Sequence, residues 1–283
     1  MKNMIDLHLH TTASDGADTA PELLEQVRTA GLRIFSVTDH DTIDGALEME
    51  ALVPEGLHYI RGIEFSCITP LKKCHILGYG FDPNDAVFRE ALELGVRLRQ
   101  EKLERRLDVW KDRFGIVLTP EEDRWLRSQN SPGKPHFGTI IKKRGLETDL
   151  RTAIKNYVNP CKLGNDRIDA NMAVRAIVHA GGIPVWAHPL GGENEERLTQ
   201  EEFRAQLELL MACGIRGLEC HYSRYSREDA AYLVEQANAH GLWISGGSDY
   251  HGSNKPNLHP GKLSEENDTI PLSALNIYPH LPG

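Results

Sequence analysis

Short apolar segments alternate with amphipathic ones through the first eighty residues. The runs MIDLHLH, RIFSVTDH, HYIRGIEFSCI and CHILGYGF have the length and β-branched content of strands. Between the first two, Thr19 and Glu22 form a Thr-x-x-Glu capping box, Pro21 lies in the first helical turn, and Gly31 follows the last. This alternation predicts a largely parallel sheet covered by helices, either a barrel or a doubly wound sheet.

The pattern changes at about Asn84. A long charged segment with helical periodicity, VFREALELGVRLRQEKLERRLDVWKDRF, is followed by shorter helical segments, and no strand pattern returns before about residue 165. The charges from Arg97 to Arg106 are typical of a solvated helix face. We therefore predict a helical subdomain at residues 84–165, inserted between 1–83 and 166–283.

Strand–helix alternation then resumes. The segments IPVWAH, IRGLECH and LWISGGSD predict three further strands, with amphipathic helices before and between them. The residues after Gly261 are weakly patterned, and we predict one final strand and an irregular end there. The two halves that flank the insertion thus belong to one α/β domain.

Composition and charge narrow the classes of function. A length of 283 residues suits one large α/β domain with an insertion. The net charge of −9 disfavours an extended nucleic-acid surface, although local cations or metal ions can still attract a small anion. No membrane-length apolar run or signal-like start is present, so we expect a cytoplasmic protein without a membrane partner. Five scattered cysteines without CxxC spacing indicate reduced packing residues; the oligomeric state stays open.

Imidazoles and carboxylates recur where the predicted strands begin or end, which is where reactive groups collect in α/β sheets and barrels. The residues at these positions are His8, His10, Asp15, Asp39, His40, Asp41, Glu64, His75, His188, His221, Asp249 and His251. His8 and His10 are two residues apart in a strand, so both can face one ion. A single strand-end histidine is usually structural, but recurrence at so many strand ends favours a metal centre, because neutral imidazole and carboxylate suit zinc, manganese and iron.

The other histidines carry less information. Structural or solvent-exposed roles are expected for His58, His179, His240 and His280, which lie at helix ends, a strand start or the tail. His259, in a proline-rich loop, stays open between a structural and a functional role.

A set of motifs in fixed order identifies a resemblance. DLHLHTTASDG, VTDHDT, GIEFS, HILGYG, AHP and GSDYHG resemble the motifs of the polymerase-and-histidinol-phosphatase (PHP) family of metal-dependent phosphoesterases. The resemblance covers residues 1 to about 83 and about 166 to 253. It implies an α/β fold, a distorted (β/α)7 barrel, with two or three divalent ions (Mn, Fe or Zn) at the carboxyl end of the strands. The helical insertion would then cover the active site.

The resemblance also implies which residues bind the ions. The nine ligands fall into three groups: His8, His10, Glu64 and Asp249; Glu64, His75 and His188; and Asp15, His40 and His251. Several family members have histidine at the position of Asp15. Asp39 is expected to support the ligands or a turn, and Asp41 to cap the following helix.

Two segments offer groups that could hold a phosphate. SPGKPHFG contributes Lys134 and His136, and CHYSRYS contributes His221, Ser223 and Arg224. The first resembles a Gly-Arg-Pro-His element of the nucleotide branch of the family, with Lys134 replacing an arginine and its bidentate fork. We expect Lys134, His136, Ser223 and Arg224 to bind phosphate. Arg224 is also a catalytic candidate, and either His136 or His221 would protonate the leaving alkoxide.

These features together predict a metal-dependent phosphoesterase. It would hydrolyse a small phosphate ester, a nucleotide such as AMP or a nucleoside 3′,5′-bisphosphate, with a metal-bridging hydroxide as nucleophile. Because Lys134 replaces the arginine found in the nucleotide branch, a cyclic phosphate phosphodiesterase stays open as an alternative. A non-catalytic PHP-like interaction module is a second alternative, although all nine ligand positions retain metal-binding side chains. Hydrolysis of a C–N bond is a third, and the loop motifs disfavour both it and histidinol phosphate.

Overall fold

A computed structural model describes residues 4–129, 131–164, 167–192 and 196–282. The four strands predicted in the first eighty residues are all present. The strands are β1 (Met4–Leu9), β2 (Leu32–Val37), β3 (His58–Ile68), β4 (Lys73–Tyr79), β5 (Ile168–Asp169), β6 (Ile183–Trp186), β7 (Gly217–Tyr222) and β8 (Trp243–Gly247).

Helices fill the intervening segments. They are α1 (Ala20–Thr29), α2 (Asp44–Leu52), α3 (Ala86–Phe114), α4 (Pro120–Arg127), α5 (Lys134–Lys143), α6 (Leu150–Ala153), α7 (Ala170–His179), α8 (Gln200–Cys213) and α9 (Arg227–Ala239). A π-helical turn, Ile154–Val158, continues α6. Within the described ranges, no helix combines the length and the apolar character needed to cross a membrane.

The strands form a nearly closed barrel, which confirms the predicted architecture. Their order is β1-β2-β3-β4-β6-β7-β8, and the short β5 pairs with β3. A parallel bridge between Leu9 and Tyr250 brings the first and last strands together. Most pairs are parallel, but β4 runs antiparallel to both β3 and β6. The start of β4 therefore lies at the same rim as the ends of the parallel strands, and His75 pairs with Ser66, near the end of β3.

The prediction of a final strand after Gly261 is wrong. In the described part of the tail, 3₁₀ turns occupy Leu272–Ala274 and Tyr278–His280 instead. This segment closes over the barrel through single hydrogen bonds, from Ile277 N to Ile244 O (3.3 Å) and from Ile244 N to Asn276 Oδ1 (2.6 Å). The prolines of the tail cannot donate to a strand ladder, which favours turns over a strand.

Helices α3–α6 match the strand-free part of the sequence and have their own apolar cluster. Leu103, Trp110, Leu126 and Phe137 are buried in it. The Trp110 indole contacts the Phe137 ring edge-on, and its Nε1–H donates to a backbone oxygen 2.8 Å away. The division of the chain into a barrel and an inserted subdomain stays a prediction, and its second boundary, between residues 165 and 166, lies outside the described residues.

We expect Trp110→Ala to destabilise the helical insertion by about 3 to 5 kcal/mol, because it opens a large cavity and leaves a backbone carbonyl without its donor. Urea denaturation followed by circular dichroism measures the effect. Val117→Ala is the matched control, since Val117 belongs to the same insertion and its side chain is 64% exposed. Equal denaturation midpoints for the two variants would contradict the central role of Trp110.

Candidate metal centre

The rim of the barrel collects the side chains that the sequence singled out. Three groups have ligand atoms within 4.8 Å of one another: His8, His10, Glu64 and Asp249; His40, Glu64 and His75; and His10, Asp15, His40 and His251. His188 joins the second group, because its Nε2 lies 3.2 Å from both His75 Nδ1 and Glu64 Oε1. The fold thus brings all nine predicted ligands together.

Glu64 lies at the centre, with imidazole nitrogens around both carboxylate oxygens. Oε2 is 3.1 Å from His8 Nε2, 3.2 Å from His10 Nε2 and 3.1 Å from His40 Nδ1, whereas Oε1 is 2.9 Å from His75 Nδ1 and 3.2 Å from His188 Nε2. Burial acts to raise the pKa of Glu64, but the imidazoles of His40, His8 and His75 outweigh it and hold the pKa well below its usual range. Glu64 is therefore a carboxylate with imidazole nitrogens at both oxygens and a member of two of the three groups, as a bridging ligand requires.

The geometry at this centre fits a divalent metal ion. His8 Nε2, His10 Nε2, His40 Nδ1 and Glu64 Oε2 are buried and have no hydrogen-bond partner among the described residues, although each nitrogen lies 3.1 to 3.2 Å from that oxygen. Bonds of 2.0 to 2.1 Å to a common ion place its ligand atoms about 3.0 to 3.4 Å from each other. The observed spacings match that range, and the donor set suits zinc, manganese or iron.

The third group lies around Asp15. Its Oδ1 is 3.1 Å from His251 Nε2 and 3.9 Å from His40 Nε2. Burial lowers the pKa of both histidines, well below the usual value for His40, which favours the neutral form that a metal ligand requires. Burial acts to raise the pKa of Asp15, but His251 and His40 outweigh it and hold that pKa well below its usual range.

Glu219, which the sequence did not single out, supports two of the predicted ligands. Its carboxylate accepts from His8 Nδ1 (2.8 Å) and from the backbone N–H of His188 (2.7 Å). The first bond keeps a proton on Nδ1 of His8, so the nitrogen that faces the cluster, Nε2, is the one that can bind an ion. Hydrogen bonds of this kind fix the orientation of a metal-binding imidazole and raise its basicity. The sequence signal that could have indicated Glu219 is an acidic residue inside the apolar strand motif GLECH, a position that the structure shows to be fully buried.

Asp249 is oriented in a similar way. Tyr222 Oη donates to its Oδ2 (2.9 Å), and Lys255 Nζ lies 2.6 Å from the same oxygen. Its other oxygen, Oδ1, lies 3.4 Å from His10 Nε2. Asp249 and His188 both have positive φ, 56° and 30°, a strained conformation that concentrates at functional sites.

The two aspartates beside His40 have different roles. Asp39 accepts from the backbone N–H of Thr11 (2.8 Å) and from Ser14 Oγ (2.5 Å), and it holds the loop after β1 as expected. The predicted helix-capping role of Asp41 is wrong, because the residue before α2 is Ile43. A φ of 52° turns the Asp41 carboxylate back towards β3 instead.

His136 and Lys134 lie at the start of α5, next to the third group. His136 is buried, and its Nδ1 accepts from the backbone N–H of Gly133 (2.9 Å), so the neutral ring carries its proton on Nε2. Burial lowers the pKa of His136. A Cβ on Gly133 would lie 3.0 Å from Asp15 Oδ2, so the start of this helix packs directly against a predicted ligand.

The segment after β7 contributes less than predicted. Gly246 and Gly247 are neighbours in β8 and therefore face opposite sides of the sheet. A Cβ on Gly247 would meet His8, which belongs to the cluster, whereas a Cβ on Gly246 would lie 2.9 Å from His221 Cβ. His221 is therefore on the side of the sheet that faces away from the cluster. Ser223 Oγ lies 2.6 Å from Ser248 O and 2.8 Å from Lys262 O, so backbone carbonyls occupy its donor. Arg224 is half-buried in the turn before α9.

A cavity of about 640 Å³ adjoins the cluster at His75 and His188. Its cationic lining comprises Lys72, Lys73, Lys102, Arg106, Lys134, Lys162 and Arg167. Glu196 is the one carboxylate among the described lining residues. Of these cations, only Lys134 was predicted to bind phosphate. The others lie in separate segments of the sequence, where each resembles an ordinary surface charge.

Comparisons with known proteins agree with this site. The PHP domain family model matches residues 6–121. A 3′,5′-nucleoside bisphosphate phosphatase from Chromobacterium violaceum is 30% identical over 87% of each chain. A phosphoribosyl 1,2-cyclic phosphate 1,2-diphosphodiesterase from Eggerthella lenta is 31% identical over 87% of this chain and 94% of that protein. The 5′-3′ exoribonuclease Rnm of Escherichia coli is 28% identical over 87% of this chain and 84% of its own.

A solved structure shares the fold over nearly the whole chain. It is an amidohydrolase from Chromobacterium violaceum with bound sulfate and no metal, 26% identical, with a TM-score of 0.82. The alignment covers 98% of this chain and 95% of that one. Helices α3–α6 therefore have a counterpart in that structure, along with the barrel.

We expect Glu219→Gln to lower the affinity for divalent metal by about 10- to 100-fold. The amide can accept only one of the two N–H bonds, and its NH₂ group opposes the other donor. Competition with a chromogenic chelator measures the affinity for Zn²⁺ or Mn²⁺. Glu235→Gln, an exposed change on α9, is the matched control, and an unaltered affinity in Glu219→Gln would contradict the supporting role.

Proposed function

The chain belongs to the PHP family, and on that premise we propose that it is a metal-dependent phosphoesterase acting on a small phosphorylated substrate, a nucleoside 3′,5′-bisphosphate or a nucleotide such as AMP. The observation that carries this proposal is the junction between the imidazole–carboxylate cluster and the cation-lined cavity. The cluster suits divalent ions, and the cavity suits the rest of a phosphorylated molecule.

The nine clustered side chains would hold two or three divalent ions (Mn, Fe or Zn), with Glu64 as the bridging ligand. Bound ions of this kind lower the pKa of a coordinated water and neutralise charge on phosphoryl oxygens. Glu219, Asp39 and the Tyr222–Lys255 pair would keep the ligands oriented, so that little reorganisation accompanies binding. This division of labour follows from the contacts at the rim.

Around the reacting phosphate, the start of α5 would supply polar contacts. His136 Nε2–H is the donor end of a ring whose other nitrogen is already bonded, so we assign it to a phosphate oxygen or to the leaving oxygen. We favour it over His221, whose Cβ faces the other side of β7. Lys134 would act as a point charge on the same phosphate, and Arg224 is retained as a weaker candidate.

The charge of the cavity favours a substrate with a second anionic group. Among the described residues, seven cations and one carboxylate line it, in a chain whose net charge is −9. Such a local reversal of charge concentrates small anions. The volume of about 640 Å³ exceeds the needs of one phosphate and falls in the range of sites for whole small molecules. A nucleoside bisphosphate uses both features, and the relative from Chromobacterium violaceum bears that name.

A cyclic phosphate diester is the second candidate. Lys134 lacks the bidentate fork of arginine, so it suits a phosphate with fewer free oxygens equally well. The relative from Eggerthella lenta is named for such a substrate. The exoribonuclease relatives add a short 5′-phosphorylated RNA to the compounds worth testing. A non-catalytic module is the reading to adopt if the purified protein neither binds metal nor releases phosphate.

A phosphate-release screen with metal removal tests the proposed function. We expect turnover of a nucleoside 3′,5′-bisphosphate above AMP, cyclic phosphates and RNA, complete loss after chelation, and recovery with Mn²⁺. His8→Ala should lower kcat/KM by about 10³-fold or more, since it removes a ligand. His179→Ala is the matched control, because that ring is 60% exposed and contacts Asp85. Full turnover in metal-free protein would overturn the proposal.

Lys134→Met tests the phosphate-binding role of the cavity. We expect KM for the bisphosphate to rise about tenfold with kcat little changed, because the lysine binds substrate and reacting state alike. Lys142→Met, an exposed change in the last turn of the same helix, should behave as wild type. An unchanged KM in steady-state assays of Lys134→Met would exclude this contact.

A further inference from the structure

Helix α3 of the insertion reaches the rim of the barrel at Asp41. Gly95 and Arg99, one turn apart, face it. A Cβ on Gly95 would lie 3.4 Å from the Asp41 Cβ, so the helix passes within van der Waals distance of Asp41 at this residue. Arg99 Nε lies 2.5 Å from Asp41 Oδ2, and Arg99 Nη2 donates to Ser66 Oγ (2.9 Å). The side chains of Arg99 and Asp41 are 11% and 2% exposed, so this is a buried ion pair in which the guanidinium also bonds Ser66.

Asp41 in turn joins the two segments that carry His40 and Glu64. Its backbone N–H donates to Glu64 O (3.0 Å), and its Oδ1 accepts from Ser66 N (2.7 Å). Glu64 N donates to Asp39 O (3.2 Å), which completes a three-bond link between residues 39–41 and 64–66. The geometry of the metal cluster therefore depends on how Asp41 is held.

Asp41 is held in a backbone conformation that is uncommon outside glycine. Its φ of 52° lies in the left-handed region, which persists where the surroundings enforce it. Arg99 and the Ser66 N–H enforce it from two directions. The insertion also holds the adjacent ligand, because Ser131 Oγ donates to His40 O (2.8 Å).

We propose that Arg99 is a positioning residue for metal binding. Its guanidinium fixes the left-handed turn at Asp41, and that turn aims His40 and Glu64 at the ions. The inference rests on the proposed function, since it assumes that these two residues are ligands. It also gives the insertion a role beyond covering the site: docking of α3 and ion binding stabilise each other.

Two nitrogens of the Arg99 guanidinium contact different residues, Asp41 and Ser66, and the test variants remove these contacts in different ways. Arg99→Met removes both bonds and leaves a buried carboxylate without its cation. Arg99→Lys keeps the charge but cannot reach Asp41 and Ser66 with one planar fork. Asp41→Asn removes the ion pair from the other side with little change of side-chain volume, and it leaves the Arg99 guanidinium without its carboxylate. Arg97→Met is the matched control, since Arg97 is exposed on the same helix.

The readout is ion binding by the full chain, independent of turnover. Mn²⁺ or Zn²⁺ stoichiometry and affinity are measured by chelator competition and elemental analysis, with circular dichroism to verify the helices. We expect affinity for at least one ion to fall about 10- to 100-fold in Arg99→Met and in Asp41→Asn, and less in Arg99→Lys. The double variant should be no weaker than Arg99→Met, because both changes break one pair.

The outcomes separate this inference from the function on which it rests. Wild-type affinity in both Arg99→Met and Asp41→Asn overturns the positioning role while leaving the phosphoesterase proposal intact. If Arg99→Met loses its helical signal, Asp41→Asn and Arg99→Lys decide the question by the same measurement. A wild-type protein that binds no divalent ion overturns both proposals together.

Discussion

One buried carboxylate, Glu64, organises this molecule. Five imidazole nitrogens lie within 3.2 Å of its two oxygens, in a place that solvent does not reach. An ionised group in the interior costs several kcal/mol unless it is compensated. Divalent ions between these atoms would satisfy the nitrogens and the carboxylate at once. The strands, the turns and the supporting acids all serve to hold that arrangement.

The barrel achieves this by bringing different chain directions to one rim. Parallel strands deliver His8, His10 and Asp249 at their carboxyl ends, whereas the antiparallel β4 delivers His75 at its start. Behind the cluster, Glu219 orients His8, so that the ligand atoms point inwards before any ion arrives. A rigid cluster of this kind loses little entropy on binding, which is the physical reason for so dense a set of supporting hydrogen bonds.

The insertion and the cavity supply what the barrel lacks. Helix α3 contacts Asp41, the start of α5 contacts Asp15, and both contacts lie at the cluster. The cations of the cavity come from the β3–β4 turn, the insertion and the segment that follows it, so a cationic surface forms only when these parts are docked. The imidazole–carboxylate cluster and the cation-lined cavity therefore come from different segments, which meet at His75 and His188.

By itself, the sequence determined seven of the eight strands and the capped helices, because periodicity and capping boxes are local properties of the chain. Strand-end positions pointed to a wider set of imidazoles and carboxylates, and the family resemblance narrowed that set to the nine clustered side chains. The HxH of β1 is one example, since a period of two fixes a shared face without knowledge of any neighbour. Only the tertiary structure decided the antiparallel direction of β4, the facing of His221, the role of Glu219 and the turn of Asp41 towards Arg99. Each of these depends on pairing between residues distant in the chain, such as Glu219 with His8, and on a register that no local pattern encodes.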